Sequence, residues 1–318
     1  KMANDILKVG LAQIAPIWLN KQETTKKVAE YITKAGEQGC DLVTFGEAFI
    51  PGYPFWIELT NGSKFNSKIQ KEIHSHYVKN AVRIEDGDLD LIRKTCKKNK
   101  IASIVGCIEL AKDRGNHSVY CSLVYINKNG KIKSVHRKLV PTYEERLSWS
   151  PGDGHGLRVH KLGAFTVGGL NCWENWMPMS RTALYGMGED LHVAIWPGGY
   201  HNTHDLTKFI AKESRSYVIS VSGLFRKEDV TPDIPHWELI KENVKDMHSN
   251  GGSCLVGPDG EFIIEPLVDK EELLVAEINH ERVREERHNY DPAGHYSRPD
   301  ITKLTVNRER QNILDIKD

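Results

Sequence analysis

Three side chains of different chemistry lie at similar places in the sequence. Glu47 follows a short apolar run, Lys138 lies in the segment HRK, and Cys172 follows the segment GGLN. A thiolate is a strong nucleophile, a poorly solvated carboxylate is a general base near neutral pH, and an ammonium stabilises an oxyanion. Together the three types are the minimal set for acyl-type transfer, in which a nucleophile, a base and a charge stabiliser act on one carbon.

Each of the three residues also has a structural interpretation when it is taken alone. Glu47 could be a capping or salt-bridged carboxylate at a strand end, and Lys138 could belong to a solvated charged face. Cys172 could be a small buried core residue, as most cysteines are. The glycines before Cys172 favour the other interpretation, because they permit the sharp strand-to-helix turn that exposes a nucleophile.

Strands and helices alternate along most of the chain and would position these residues. Apolar patterns predict strands over residues 6–14, 42–45, 101–108, 120–126, 131–135, 165–170, 191–196, 218–224, 253–256, 262–264 and 273–278. They predict helices over 24–37, 181–187, 206–217 and 280–287, and one that runs from an N-cap at Asp88 to about 98. Lys128-Asn129-Gly130 and Pro258-Asp259-Gly260 are hairpin turn signals. This alternation with hairpins predicts an α/β fold with mixed sheets.

Composition argues against several classes of protein. The 318 residues carry 43 basic and 43 acidic side chains, so no nucleic-acid or anionic-membrane partner is expected. The apolar runs are too short to span a bilayer, and the polar residues 1–5 show no secretory signal. Six cysteines without a CxxC pair predict a reduced protein and hence a cytoplasmic one.

The three residues belong to a longer series of motifs that resembles the nitrilase superfamily, whose signature is a Glu, a Lys and a Cys at successive strand ends. The match extends over nearly the whole chain in the expected order. Its blocks are Gly46-Glu47, His136-Arg137-Lys138-Leu139 with Pro141-Thr142 and Glu145-Arg146, Gly152-Asp153-Gly154, Cys172-Trp173-Glu174-Asn175-Trp176-Met177-Pro178, Trp196-Pro197, and Gly294-His295-Tyr296-Ser297-Arg298-Pro299-Asp300.

The resemblance implies a four-layer α-β-β-α sandwich and a homo-oligomer, which ranges from a dimer to an extended spiral. It implies a carbon–nitrogen hydrolase domain over 1–290 and a C-terminal arm over 291–318 at an oligomer interface. It also implies that Glu145 is a second catalytic carboxylate that positions Lys138, whereas Glu144 is interpreted as a surface residue. No cofactor or metal is required.

Within the superfamily the chain resembles the nitrilase branch, because amide-cleaving relatives carry Tyr and Asp where this chain has Trp173-Glu174. The expected substrate is a small-molecule nitrile, which is converted to the carboxylic acid and ammonia. Aliphatic, aromatic and arylaceto- nitriles and hydrogen cyanide stay open. The alternatives are an amidase or carbamoylase of the same superfamily and, less favoured, a non-catalytic assembly protein.

Residues just beyond the catalytic ones are expected to line the substrate pocket, with core packing as the alternative for each aromatic. They are Tyr53, Trp56, Thr142, Tyr143, Trp173, Trp196, Pro197 and His201. A metal site built on His74, His76, His155 and His160 is disfavoured, since no carboxylate-rich strand end accompanies them.

Overall fold

The computed structural model describes residues 5–317. Its eight α-helices are α1 (Lys21–Glu37), α2 (Trp56–Leu59), α3 (Lys68–Lys79), α4 (Asp90–Asn99), α5 (Pro178–Gly186), α6 (Tyr200–Ser214), α7 (Trp237–Asn243) and α8 (Glu281–Asn289) within that range. The prediction about residues 1–5 lies almost wholly outside the described residues.

Thirteen strands complete the described part of the fold. They are β1 (Ile6–Gln13), β2 (Leu42–Thr44), β3 (Ala102–Leu110), β4 (Val119–Ile126), β5 (Ile132–Arg137), β6 (His160–Leu162), β7 (Phe165–Asn171), β8 (Leu191–Trp196), β9 (Tyr217–Ser222), β10 (Leu224–Arg226), β11 (Met247–Val256), β12 (Phe262–Val268) and β13 (Glu272–Asn279).

The strands form two mixed sheets, as predicted. The first has the order β13-β1-β2-β3-β4-β5, and the second has the order β10-β11-β9-β8-β7-β6 with β12 paired to β11. Each sheet has a centre of three parallel strands, β1-β2-β3 and β7-β8-β9, and antiparallel strands on both sides. Four of these parallel strands, β2, β3, β8 and β9, are buried throughout because both of their faces are covered.

Alternating side chains hold the layers together. Leu7, Val9 and Leu11 of β1 point between the sheets, where they join residues of β7, β8 and β9 in one apolar core. The outer face of the first sheet packs against α1 and α4, and the outer face of the second packs against α6. The result is the expected four-layer α-β-β-α sandwich.

Several predicted boundaries were wrong for identifiable reasons. Asp88 does not cap α4. Its carboxylate instead accepts hydrogen bonds from Lys21 Nζ and the Arg83 amide, and these contacts replace the predicted capping bond. Helices α2, α3 and α7 were missed because each has a short apolar face. For α3 the signal was present, since Ser67 caps it through the Gln70 amide.

The last part of the chain is irregular. After α8, no helix or strand occurs up to residue 317. Arg310 Nη1 and the Gln311 amide both donate to the Asp153 carboxylate, at 2.9 and 3.0 Å. These contacts dock the C-terminal segment on the domain, while its predicted role at an oligomer interface stays a prediction. Within residues 5–317, no helix combines the length and apolar character needed to cross a bilayer.

A glycine determines how close the end of β2 comes to β3. A Cβ atom on Gly106 would lie 2.1 Å from the Gly46 carbonyl oxygen, so any side chain there displaces the segment that leads to Glu47. We expect Gly106→Ala to lower the free energy of unfolding by about 1–3 kcal/mol, measured by urea denaturation. The control is Gly186→Ala at the exposed end of α5, where a Cβ atom meets nothing within 4 Å. Equal stability of both variants would contradict the steric explanation.

Candidate active site

Glu47 is held where the two sheets meet. Its amide donates to the Trp196 carbonyl at the end of β8, at 3.0 Å, although Glu47 itself follows β2 in the other sheet. Gly46 makes this approach possible, since a Cβ atom there would lie 2.8 Å from the same carbonyl oxygen. Ala48 then takes a positive φ of 52°, which turns the chain sharply after the carboxylate.

Lys138 brings a buried cation to Glu47. Its amide donates to the Cys121 carbonyl at 2.7 Å, which fixes the turn after β5. Its Nζ lies 2.9 Å from Glu47 Oε1 and 2.7 Å from Glu145 Oε2, and the side chain is 1% exposed. Burial alone would lower the pKa of Lys138, but Glu47, Cys172 and Glu145 outweigh it and hold that pKa well above its ordinary value.

Glu145 fixes the direction of the ammonium. It lies on a 3₁₀ turn, Tyr143–Leu147, whose capping box pairs it with Thr142. Its carboxylate accepts hydrogen bonds from the Thr142 amide at 2.6 Å, from Tyr53 Oη at 2.8 Å and from Lys138 Nζ at 2.7 Å. Glu144 was interpreted as a surface residue, but it is half-buried and also accepts from Tyr53 Oη, at 3.1 Å.

Cys172 lies on a sharp turn at the end of β7, as the glycines before it predicted. Its φ is 47°, in the left-handed region that non-glycine residues seldom adopt. Its sulfur, a Glu47 oxygen and a Glu145 oxygen all lie within 4.8 Å of one another. Burial and the nearby Glu47 carboxylate raise the pKa of the thiol well above its ordinary value, while Lys138 opposes that rise. Deprotonation therefore depends on Lys138 and on a base.

Glu47 has the properties of such a base. Burial is the largest cause that raises its pKa, to about 8, and Lys138 opposes the rise. Both of its oxygens are buried, and neither has a well-aligned hydrogen bond within residues 5–317, since the Lys138 contact is a close ion pair without hydrogen-bond alignment. A carboxyl with this pKa both takes and returns a proton near neutral pH.

The same cluster does not fit a metal ion. Glu47, Glu145 and Cys172 form the one group of potential ligands in the described part of the chain. The Lys138 ammonium already lies within 2.9 Å of both carboxylates and would repel a metal cation. His74, His76, His155 and His160 belong to no such group among residues 5–317.

The backbone of the cysteine turn has a buried support. Asn175 Nδ2 donates to the Cys172 carbonyl at 2.7 Å, and Asn175 Oδ1 pairs with His192 Nε2 at 2.7 Å. The other ring nitrogen of His192 contacts Glu189 Oε1 at 2.7 Å. Sequence patterns missed this network because His192 lies in the otherwise apolar strand β8, Glu189 lies just before that strand, and no motif surrounds either residue.

The eight residues predicted to line a pocket occupy three kinds of environment. Tyr53 and Pro197 border a narrow cleft beside Glu47, and the Thr142 amide binds Glu145. Tyr143, Trp173 and His201 are exposed at the surface. Trp56 and Trp196 are buried in the core, which matches the packing alternative. The cleft also has aromatic walls that the sequence analysis missed, namely Trp18, Phe49, Phe55 and Phe225.

A family model described as "Carbon-nitrogen hydrolase" matches residues 8–288. The chain belongs to the carbon–nitrogen hydrolase family. This enzyme is therefore a hydrolase acting on carbon–nitrogen bonds, and the predictions of family and enzyme class are confirmed.

Two curated relatives agree with that assignment, and a solved structure of another protein shares the fold. It is 33% identical to a "Nitrilase 2" of an unknown prokaryotic organism, with 96% of this chain and 94% of the relative covered. It is 31% identical to an aliphatic nitrilase of Rhodococcus rhodochrous, over 94% and 79%. The amidase of Nesterenkonia sp. AN1 shares the fold, with a TM-score of 0.65, 17% identity and coverage of 89% and 97%.

The raised pKa of Glu47 predicts a pH-dependent effect of Glu47→Gln on stability. Below pH 4.5 the carboxyl is protonated in both folded and unfolded chains, and between 4.5 and about 8 only the unfolded chain loses the proton. Rising pH in this window thus destabilises the parent but not the variant. We expect the Tm of the variant minus the Tm of the parent to increase by about 2 °C for each pH unit in this window, measured by calorimetry.

Glu271→Gln is the control, because the pKa of Glu271 is shifted in the opposite direction to that of Glu47. Although burial raises the pKa of Glu271, its hydrogen bonds to Lys27 and the Ala15 amide outweigh this and lower it. This control should be less stable than the parent throughout the window. A Tm difference between Glu47→Gln and the parent that stays constant from pH 4.5 to 8 would show that the pKa of Glu47 is not raised.

Proposed function

We propose that this enzyme is a nitrilase, which converts an organic nitrile and two waters to the carboxylic acid and ammonia. The observation that carries the proposal is a buried cluster around the Lys138 ammonium. In it the sulfur of Cys172, one oxygen of Glu47 and one oxygen of Glu145 lie within 4.8 Å of one another. Relatives that match the chain over nearly its whole length are named nitrilases, including an aliphatic nitrilase.

The first half of the reaction forms a covalent adduct. Glu47 takes the proton from Cys172, and the sulfur adds to the nitrile carbon. An electron pair of the sulfur forms the C–S bond while one C–N π bond breaks, and the electrons of that π bond take the proton back from Glu47 at the nitrogen, which gives a thioimidate. The nucleophile thus replaces a slow direct attack of water by two easier steps.

The second half releases both products. Water adds to the thioimidate carbon and gives a tetrahedral species, from which ammonia leaves after the nitrogen has been protonated. A second water, deprotonated by Glu47, attacks the resulting thioester, and the C–S bond breaks to give the carboxylic acid and the thiol. Lys138 stabilises the negative charge of each tetrahedral species, and Glu145 keeps its ammonium directed at that position.

Tyr53, Thr142, Tyr143, Trp173, Pro197 and His201 remain proposals as substrate-binding residues. Support is strongest for Tyr53, because its ring borders the cleft beside Glu47 and its hydroxyl binds Glu145. Trp196 supports Cys172 from the core, where the two share one apolar cluster. Trp56 packs edge-on against Tyr77, with ring centroids 4.6 Å apart, so its contribution is indirect.

A comparison of nitriles with amides tests the reaction. We expect kcat/KM for a nitrile to exceed that for the matching amide, because the cleft beside Glu47 is narrow and aromatic-lined and admits a linear nitrile more readily than a planar amide. Ammonia release is the measurement, with acid as the main product. Equal or better kcat/KM on amides would transfer the assignment to an amidase.

The same assay includes two cysteine variants. Cys172→Ala should lose turnover to below about 1% of the parent without loss of fold. Cys96→Ala, which removes another buried free thiol, on the core-facing side of α4, should keep turnover. Turnover by a folded Cys172→Ala would eliminate Cys172 as the nucleophile.

We also propose that the enzyme is a cytoplasmic homo-oligomer. All six cysteines are free and buried, which suits a reduced compartment. Three large apolar side chains on the turn Cys172–Trp176 and on helices α5 and α6 are exposed, Trp176 at 54%, Met179 at 67% and Phe209 at 53%. Helices α5 and α6 thereby present an apolar face that a second copy of the chain would cover.

Light scattering tests the oligomer. We expect a mass of at least twice 36.1 kDa and a shift towards the monomer in Met179→Lys, because a charge on the apolar face opposes association. Phe65→Lys is the control, since Phe65 is 96% exposed and lies in the loop before α3, outside α5 and α6. A fully active monomer of the parent would refute the proposal.

A further inference from the structure

Glu174 joins the two turns that carry Lys138 and Cys172. It lies on the 3₁₀ turn Cys172–Trp176 and is completely buried. One oxygen, Oε1, accepts from the amide of Leu139 at 2.6 Å. The other, Oε2, accepts from the amide of Asn171 at 2.9 Å. These amides belong to the residue after Lys138 and the residue before Cys172.

The two turns come from different sheets. Lys138 follows β5, the edge strand of the first sheet, whereas Cys172 follows β7 of the second. A capping box explains the bond to Asn171, because Glu174 occupies the third position of the turn that Asn171 caps. Capping does not explain the bond to Leu139. A single carboxylate therefore ties the ends of strands that have no hydrogen-bonded pairing with each other.

We propose that Glu174 is a positioning residue, which sets the separation of the Lys138 ammonium from the Cys172 sulfur by binding the amides of Leu139 and Asn171. The proposal rests on the proposed function, in which the ammonium and the sulfur act on one carbon. A shift of about 1 Å between two such groups costs roughly 100-fold in rate, so a rigid link between their turns has a direct effect on catalysis.

The carboxylate remains ionised in its buried position. Burial raises the pKa of Glu174, but the contribution of His136 and the amide hydrogen bonds outweighs it, so the pKa lies below its ordinary value. His136 Nε2 lies 3.0 and 3.1 Å from the two oxygens. An ionised acceptor makes stronger bonds to both amides than a neutral one.

Glu174→Gln tests the link, because the glutamine amide has one carbonyl oxygen and one NH₂ group. The NH₂ group must face either the Leu139 or the Asn171 amide, so one bond is replaced by a donor–donor contact. The readout is the rate of Cys172 alkylation by iodoacetamide, followed by peptide mass, together with kcat and KM. We expect alkylation and kcat to fall about tenfold, with a smaller change in KM.

A second background separates positioning from simple loss of structure. In Lys138→Met the ammonium is absent, so Glu174→Gln should change the alkylation rate less than about twofold. A purely structural role would give the same factor in both backgrounds. Glu271→Gln is the matched control, since that carboxylate also accepts a main-chain amide, Ala15 at 2.6 Å, and a cation, Lys27 at 2.8 Å. It should alkylate like the parent.

Three outcomes decide the proposal. Parent-like alkylation of folded Glu174→Gln would overturn it, and so would equal losses with and without Lys138. If Glu174→Gln does not fold, Glu174→Asp replaces it, because aspartate keeps the charge but is one methylene too short to reach both amides. Alkylation that responds as expected in an enzyme that hydrolyses no nitrile would support positioning while refuting the proposed function.

Discussion

The buried ammonium of Lys138 between two carboxylates is the interaction on which the site depends. Removing one partner from a buried ion pair costs about 3–5 kcal/mol, so none of these side chains is tolerated in this environment alone. Glu145 is fully engaged by three donors, whereas Glu47 has no aligned partner within residues 5–317. The Lys138 ammonium therefore makes an aligned hydrogen bond to Glu145 but not to Glu47, which leaves the Glu47 carboxyl able to exchange a proton.

The architecture serves to bring this cluster together across two sheets. Glu47 and Lys138 follow strands of the first sheet and Cys172 follows a strand of the second, and the apolar core between the sheets holds them in contact. Close approach of the strand ends requires glycine at Gly46 and Gly106, where a side chain would collide with backbone atoms. Positive φ values at Ala48 and Cys172 show that the backbone is strained at the same places.

Sequence patterns predicted the strands better than the helices. Residues 191–196 form β8 as predicted, because a continuous apolar run bounded by polar residues has no competing assignment. Helix α4 lost its predicted cap because the Asp88 carboxylate binds Lys21, which is 67 residues away, and the Arg83 amide, and no capping pattern predicts either contact. Aromatic residues near the site were ambiguous for a similar reason. Composition does not tell whether Trp56 or Trp173 turns towards the core, yet one is buried and the other 52% exposed.

The sequence by itself determined which residues are candidates for the chemistry, because Glu47, Lys138 and Cys172 follow recognisable strands and Glu145 lies in a motif of the family that the chain resembles. It also determined the α/β class, since strand and helix periodicities are properties of neighbouring residues. Only the tertiary structure decided the distances within the cluster, the raised pKa of Glu47 and the link through Glu174. These depend on burial and on contacts between the two sheets, and no pattern of sequence neighbours encodes the dielectric or the separation that results.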